Sequence, residues 1–227
     1  MRLALFLSLA LSLIVFLSFI FLSVRMKKKE ERPFNFRQYF LYEAFELEKR
    51  NANFLRVLEI ILIVINLFAS CALFFMDHDE TLISKYYFLV IVGVETLLEI
   101  VLLFLSITPL SKEKMHLFLF FAFGALIAIR NASAGRIFIS ATKKTLDGVG
   151  FDLTFAILSF VLAFLALAPL VNPKLSNYVN LVPTTNKDGT VSYERPKYFV
   201  MAFSEWLLFI LNELSFIAIC LFSCFIK

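Results

Sequence analysis

From Leu3 to Val24 the chain runs 22 residues without a charge. At 1.5 Å per residue that is about 33 Å of helix, enough to cross a hydrocarbon core of about 30 Å. Apolar runs, some holding one or two charges, recur at 55–76, 86–110, 153–171 and 198–226, and a fifth, Leu117 to Ile129, is interrupted by Arg130 and Asn131 before the apolar pattern resumes to Ala141. A backbone in lipid must satisfy its own hydrogen bonds, so such runs fold as helices. The expected fold is an all-α integral membrane bundle of about six transmembrane helices, 3–24, 55–76, 86–110, 117–141, 153–171 and 198–226. Together they make one membrane domain spanning residues 1–227.

Composition agrees. Hydrophobic residues make up 60% of the chain, 29 of its 227 residues are Phe, and soluble domains hold about 45–50% apolar residues. A net charge of +4 invites a nucleic-acid reading, but the basic residues lie between apolar runs, which points to topology instead and excludes nucleic acid as the expected partner. The three cysteines, Cys71, Cys220 and Cys224, sit inside apolar runs and read as small hydrophobic side chains.

Only Arg2 precedes the first run, whereas Arg25, Lys27, Lys28, Lys29 and Arg32 follow it. A cleaved signal peptide has the reverse order, so the run reads as an uncleaved anchor with its N-terminus outside. With six spans, the segments on the inner side collect 15 Lys and Arg and those on the outer side six. The positive-inside rule therefore places both termini outside a cell (plasma) membrane.

Two inner segments are expected to do more than connect. In the basic and aromatic segment 25–54, Phe36, Phe40, Ala44 and Leu47 fall near one helical face, with Glu43 interrupting the stripe. This reads as an amphipathic interfacial helix, with Lys27, Lys28 and Lys29 near anionic lipid; the alternative is a solvated linker. In the loop 172–197, Asn186, Lys187, Asp188 and Gly189 separate the β-prone stretches Tyr178 to Val182 and Thr190 to Tyr193, predicting a short cytoplasmic β-hairpin.

Charges at bilayer depth are costly, face the bundle interior and mark functional hypotheses. Glu95 and Glu99 share a face of the third run, Arg130 lies in the fourth, and Glu205, Asn212 and Glu213 lie in the sixth. Glu59, near the inner interface, is expected to snorkel or stay hydrated. Counting along each helix puts Glu95, Arg130, Asn212 and Glu213 in one layer about 10–13 Å below the outer boundary, and Glu99 and Glu205 in a second at about 20 Å. Arg130 is expected to pair with Glu95 or Glu213. Four carboxylates and one guanidinium cannot all be neutralised pairwise, so some must hold a proton or a cation. The alternative is that the acids hydrogen-bond across helices and only hold the bundle together. Gly124, Ala128 and Ala132 form a small-residue stripe that lets another helix approach.

Catalytic signatures are lacking. No Gly-rich phosphate loop or nucleophile elbow is present, and His78 and His116 fall in loops expected on opposite sides. No catalytic, cofactor or metal residue is assigned. The leading expectation is small-solute, cation or proton-coupled transport, or a membrane subunit of a transport complex. The alternatives are a non-catalytic scaffold, sensor or assembly factor with a membrane or cytoplasmic protein partner, and a membrane-embedded lipid-modifying enzyme.

Overall fold

The computed structural model describes residues 2–25, 35–45, 49–75, 85–142, 149–172, 175, 182–185, 189–194, 196 and 198–224. Six helices carry the fold: α1 (Arg2–Arg25), α2 (Lys49–Phe74), α3 (Lys85–Leu105), α4 (Glu113–Thr142), α5 (Val149–Leu167) and α6 (Val200–Ser223). Five of them, all but α5, are long and apolar enough to cross a bilayer. The chain is a helical membrane protein of several spans. The apolar helix of α5 counted on the same basis runs only Leu153–Leu167.

The helices are apolar all round, as expected where lipid covers the outer face. On α1 the buried side chains Leu5, Leu9, Ser12, Phe16, Phe19 and Ser23 recur at helical spacing, while Leu3, Leu7, Ile14 and Phe21 are exposed. On α2 the same rhythm buries Leu55, Glu59, Leu62, Asn66, Ala69 and Leu73. The buried faces thus carry the polar residues and the outer faces carry leucine and phenylalanine, the inverse of a soluble bundle. Helix α5 packs antiparallel on α4. A Cβ at Gly135 would meet Phe160 Cε2 at 2.9 Å, and one at Gly124 would meet Leu170 Cδ2, in the turn after α5, at 2.8 Å, so Gly135 lets the two helices approach and Gly124 the turn that follows.

Two apolar clusters form the core. One joins Phe16, Phe19, Leu62, Leu98, Leu102, Phe123, Ile127, Leu208 and Phe209; the other joins Leu5, Leu9, Ala69, Leu73, Phe88, Ile91, Ala134, Ile137 and Phe216. All six helices contribute to both, and on each the switch from one cluster to the other falls at a buried polar residue: Ser12, Asn66, Glu95, Arg130, Ser159 and Asn212. A polar layer therefore lies between two apolar ones.

Residues 35–45 do not form the expected interfacial helix. They make turns ending in a 3-10 turn, Tyr42–Phe45, and Phe40, Leu41 and Ala44 are buried in the first cluster. Rings expected at headgroup depth instead fill the end of the bundle, because there they meet Phe199, Trp206 and His116. Residues 49–54, expected in the same linker, open α2.

Strands β1 (Val182–Thr185) and β2 (Val191–Glu194) pair antiparallel, with Val182 opposite Glu194 and Thr185 opposite Val191. The first strand begins where the expected stretch Tyr178 to Val182 ends. Gly189 adopts φ 81°, a value open to glycine and strained for other residues. The turn residues Asn186, Lys187 and Asp188, the basic Lys27, Lys28 and Lys29, and His78 lie outside the described residues.

Candidate functional site

The polar layer is built by five helices. Arg130, on α4, forms an ion pair with Glu95 on α3, and neither side chain has exposed surface. Its second terminal nitrogen donates to the Asn212 carbonyl and to Ser215 Oγ on α6, both at 2.7 Å. Beside it, Asn131 Nδ2 donates to Ile127 O at 2.9 Å and to Ser215 Oγ at 3.2 Å. A second centre forms around Asn66 on α2. Its Nδ2 donates to Glu99 Oε1 at 2.9 Å and to both Glu213 oxygens at 3.1 Å, while its Oδ1 accepts from Ser12 Oγ of α1 at 2.9 Å. Asn212 Nδ2 adds a contact to Glu213 Oε1 at 3.3 Å.

Glu205 does not share a layer with Glu99. It lies seven residues before Asn212 on α6, roughly 10 Å nearer the other end of the bundle. There its Oε2 meets His116 Nε2 at 2.9 Å and its Oε1 accepts from the Leu41 backbone N–H at 2.8 Å. His116, expected in a loop, is a fully buried residue of the first turn of α4, and its Nδ1 lies 2.8 Å from Thr108 O. The 35–45 segment is fastened at the same place. Trp206 Nε1 donates to Tyr39 O at 2.9 Å, Phe199 N to Arg37 O at 2.6 Å, and Phe40 N to Glu43 Oε2 at 2.8 Å. Glu43, which disrupts an amphipathic stripe, is thus a buried turn-closing acceptor.

Glu59 does not snorkel. It is 2% exposed and paired with Arg56 at 2.8 Å. Arg56 also donates to Ser106 Oγ at 2.8 Å and stacks 3.7 Å from the centre of the Phe45 ring. Both long side chains are held by the turn after α3, which begins at Ser106 because α3 ends at Leu105 and not at Leu110.

The sequence matches no known family model, no curated protein and no solved structure. The chemistry of this chain must therefore be read from its own groups. One guanidinium balances one carboxylate, Glu95. No cation among the described residues forms an ion pair with Glu99 or Glu213, which converge on a single amide. Two ionised carboxylates in so dry a place would repel, so electroneutrality calls for a proton or a small cation there. Glu95 Oε1 and Glu99 Oε2 have no hydrogen-bond partner among the described residues; the two carboxyls stand one helical turn apart, and a proton held on Glu99 would satisfy both. Among the described residues, no group of three or more His, Cys, Asp or Glu could hold a metal ion. Two cavities open on the flanks of α5, and none of these acids lines either one.

Of the six residues singled out from sequence, Glu95, Glu99, Arg130, Asn212 and Glu213 meet in one layer and Glu205 stands apart. Sequence reasoning missed Asn66, Ser12 and Ser215 as partners and His116 as a buried one. Asn66 carried a signal, an amide within an apolar run. The serines carried none.

Proposed function

We propose that this chain is a non-catalytic membrane scaffold whose polar layer locks the helices rather than passing a solute. One observation carries this reading: the layer is enclosed between two apolar clusters. Along α6, Leu208 and Phe209 separate Glu205 from Asn212, and Phe216 and Ile219 close the other side. A proton leaving Glu213 for Glu205 would cross about 10 Å of hydrocarbon packing. Cross-helix hydrogen bonds in membranes serve well as fixtures, each contributing about 0.6 kcal/mol on average.

Six crossings suit this scaffold. Helix α5 and the turn after it run antiparallel along α4, Phe160 against Gly135 and Leu170 against Gly124, and the 19 residues of α5 reach about 28 Å. The 35–45 segment, the turn before α4 and the approach to α6 then share one end, which the 15 to six distribution of basic residues assigns to the cytoplasm. Both termini face outward from the plasma membrane. With the aromatic segment buried in the bundle, the β1–β2 pair, where Val191 is 58% exposed, is the element left to meet a protein partner. Anionic lipid at Lys27, Lys28 and Lys29 completes the cytoplasmic face.

A second reading, a proton or cation carrier, draws on the charge imbalance at Glu99 and Glu213. Purified chain in liposomes separates the two. The scaffold reading expects proton and monovalent-cation flux equal to that of protein-free liposomes, in wild type and in Glu99→Gln alike. Flux above that baseline, abolished by Glu99→Gln or Glu213→Gln in folded protein, would establish the carrier and sink the scaffold.

A further inference from the structure

Arg136 lies six residues after Arg130 on α4 and has the opposite environment. Arg130 is fully buried among acceptors, whereas Arg136 is exposed, and its guanidinium has no partner among the described residues. It borders a groove of about 530 Å³ between α4 and α5, with Ala132, Ser133, Ile139 and Ser140 on one wall and the Phe160 ring on the other. The groove exists because the α4 face turned toward α5 is cut back to small residues. Ala132 and Ser133 leave space beside Gly135, where Phe160 makes its close approach.

We infer that this groove binds one anionic glycerophospholipid, its phosphate on Arg136 and an acyl chain along Ile129 and Phe160. Depth supports the assignment. Helix α4 has 30 residues, about 45 Å, so Arg136 sits about 13 Å from its midpoint, at the edge of a hydrocarbon core with a half-thickness of about 15 Å. A guanidinium there reaches the phosphate plane and offers paired N–H donors to phosphate oxygens. Charge chooses the class of lipid. Among the described residues the lining supplies one cation and no carboxylate, so none of them would hold the ammonium of a zwitterionic headgroup. The volume falls within the range of ordinary ligand sites, about 300–1,000 Å³. Ile129 and Phe160, about half exposed, give the chain an apolar bed open to the bilayer. Arg130 takes no part, because its terminal nitrogens are directed to α3 and α6.

The test is native mass spectrometry of the full chain in mild detergent, titrated separately with phosphatidylglycerol and with phosphatidylcholine. Wild type should retain one phosphatidylglycerol about tenfold more tightly than phosphatidylcholine, whose ammonium would lie beside the Arg136 guanidinium and offset its contact to the phosphate. Arg136→Gln should abolish that preference and Arg136→Lys should keep part of it. Ser133→Phe leaves the charge intact and fills the groove, so it should weaken retention of phosphatidylglycerol. Emission from the single Trp206 checks that each variant is folded. Equal retention of the two lipids by wild type, or an unchanged preference in folded Arg136→Gln, would overturn the site. So would a dimer that excludes lipid and dissociates on Arg136→Gln, because the groove would then belong to a second copy of the chain. The outcome is independent of whether the polar layer conducts.

Discussion

Arg130 and Glu95 pair across α4 and α3 with no exposed surface on either side chain. A buried pair is costly to form and costlier to break, since removing one partner strands the other's charge. Arg130→Met should lower stability by about 3–5 kcal/mol. The double variant Arg130→Met, Glu95→Leu should lose less than the sum of the single losses, because it leaves no stranded charge. Denaturant unfolding in micelles measures both, and additive losses would show that the pair is not coupled.

Asn66 is the only described donor shared by Glu99 and Glu213, and Ser12 supports it through one hydroxyl. Asn66→Leu should therefore cost about 1–3 kcal/mol, the penalty for leaving buried acceptors unmet. Ser12→Ala removes one cross-helix bond and should cost about 0.6 kcal/mol. If the serine variant proved the more damaging in the same unfolding assay, the centre assigned to Asn66 would be misplaced.

Glu205 ties the 35–45 segment to the bundle through Leu41 N and holds His116 on its other oxygen. Glu205→Gln keeps an acceptor for Leu41 and should leave the segment in place. Glu205→Leu removes both contacts and should release it. Hydrogen exchange at residues 38–44 should then accelerate at least tenfold, and the emission of Trp206, packed 4.6 Å from the Phe36 ring centre, should shift. Unchanged exchange in a folded Glu205→Leu protein would mean that packing alone retains the segment.

Gly93 and Gly135 separate the two uses of glycine in these helices. A Cβ at Gly93 meets nothing within 4 Å, so Gly93→Ala should stabilise by up to about 1 kcal/mol through backbone entropy alone. At Gly135 the added carbon meets the Phe160 ring at 2.9 Å. Gly135→Leu should wedge α5 from α4 and destabilise by about 1–3 kcal/mol. Thermal unfolding in micelles ranks the two, and the reverse order would contradict the packing of α5.

Membrane character and the positions of the helices are legible in the residues themselves, because long apolar runs have few other physical outcomes. Glu95, Glu99, Arg130 and Glu213 are legible too, since a charge in such a run is conspicuous. Their partners are not. In a soluble bundle an amphipathic stripe announces the buried face, but here core and lipid are equally apolar, and nothing in the hydropathy of α1 distinguishes Ser12, which is buried, from Ser18, which is not. Helix rotation is set by close packing and by which polar groups find one another, and both depend on neighbours distant in the chain. So it was tertiary structure that divided Glu99 from Glu205, sent one to Asn66 and the other to His116, and drew Phe40 and Leu41 into the bundle rather than onto its surface.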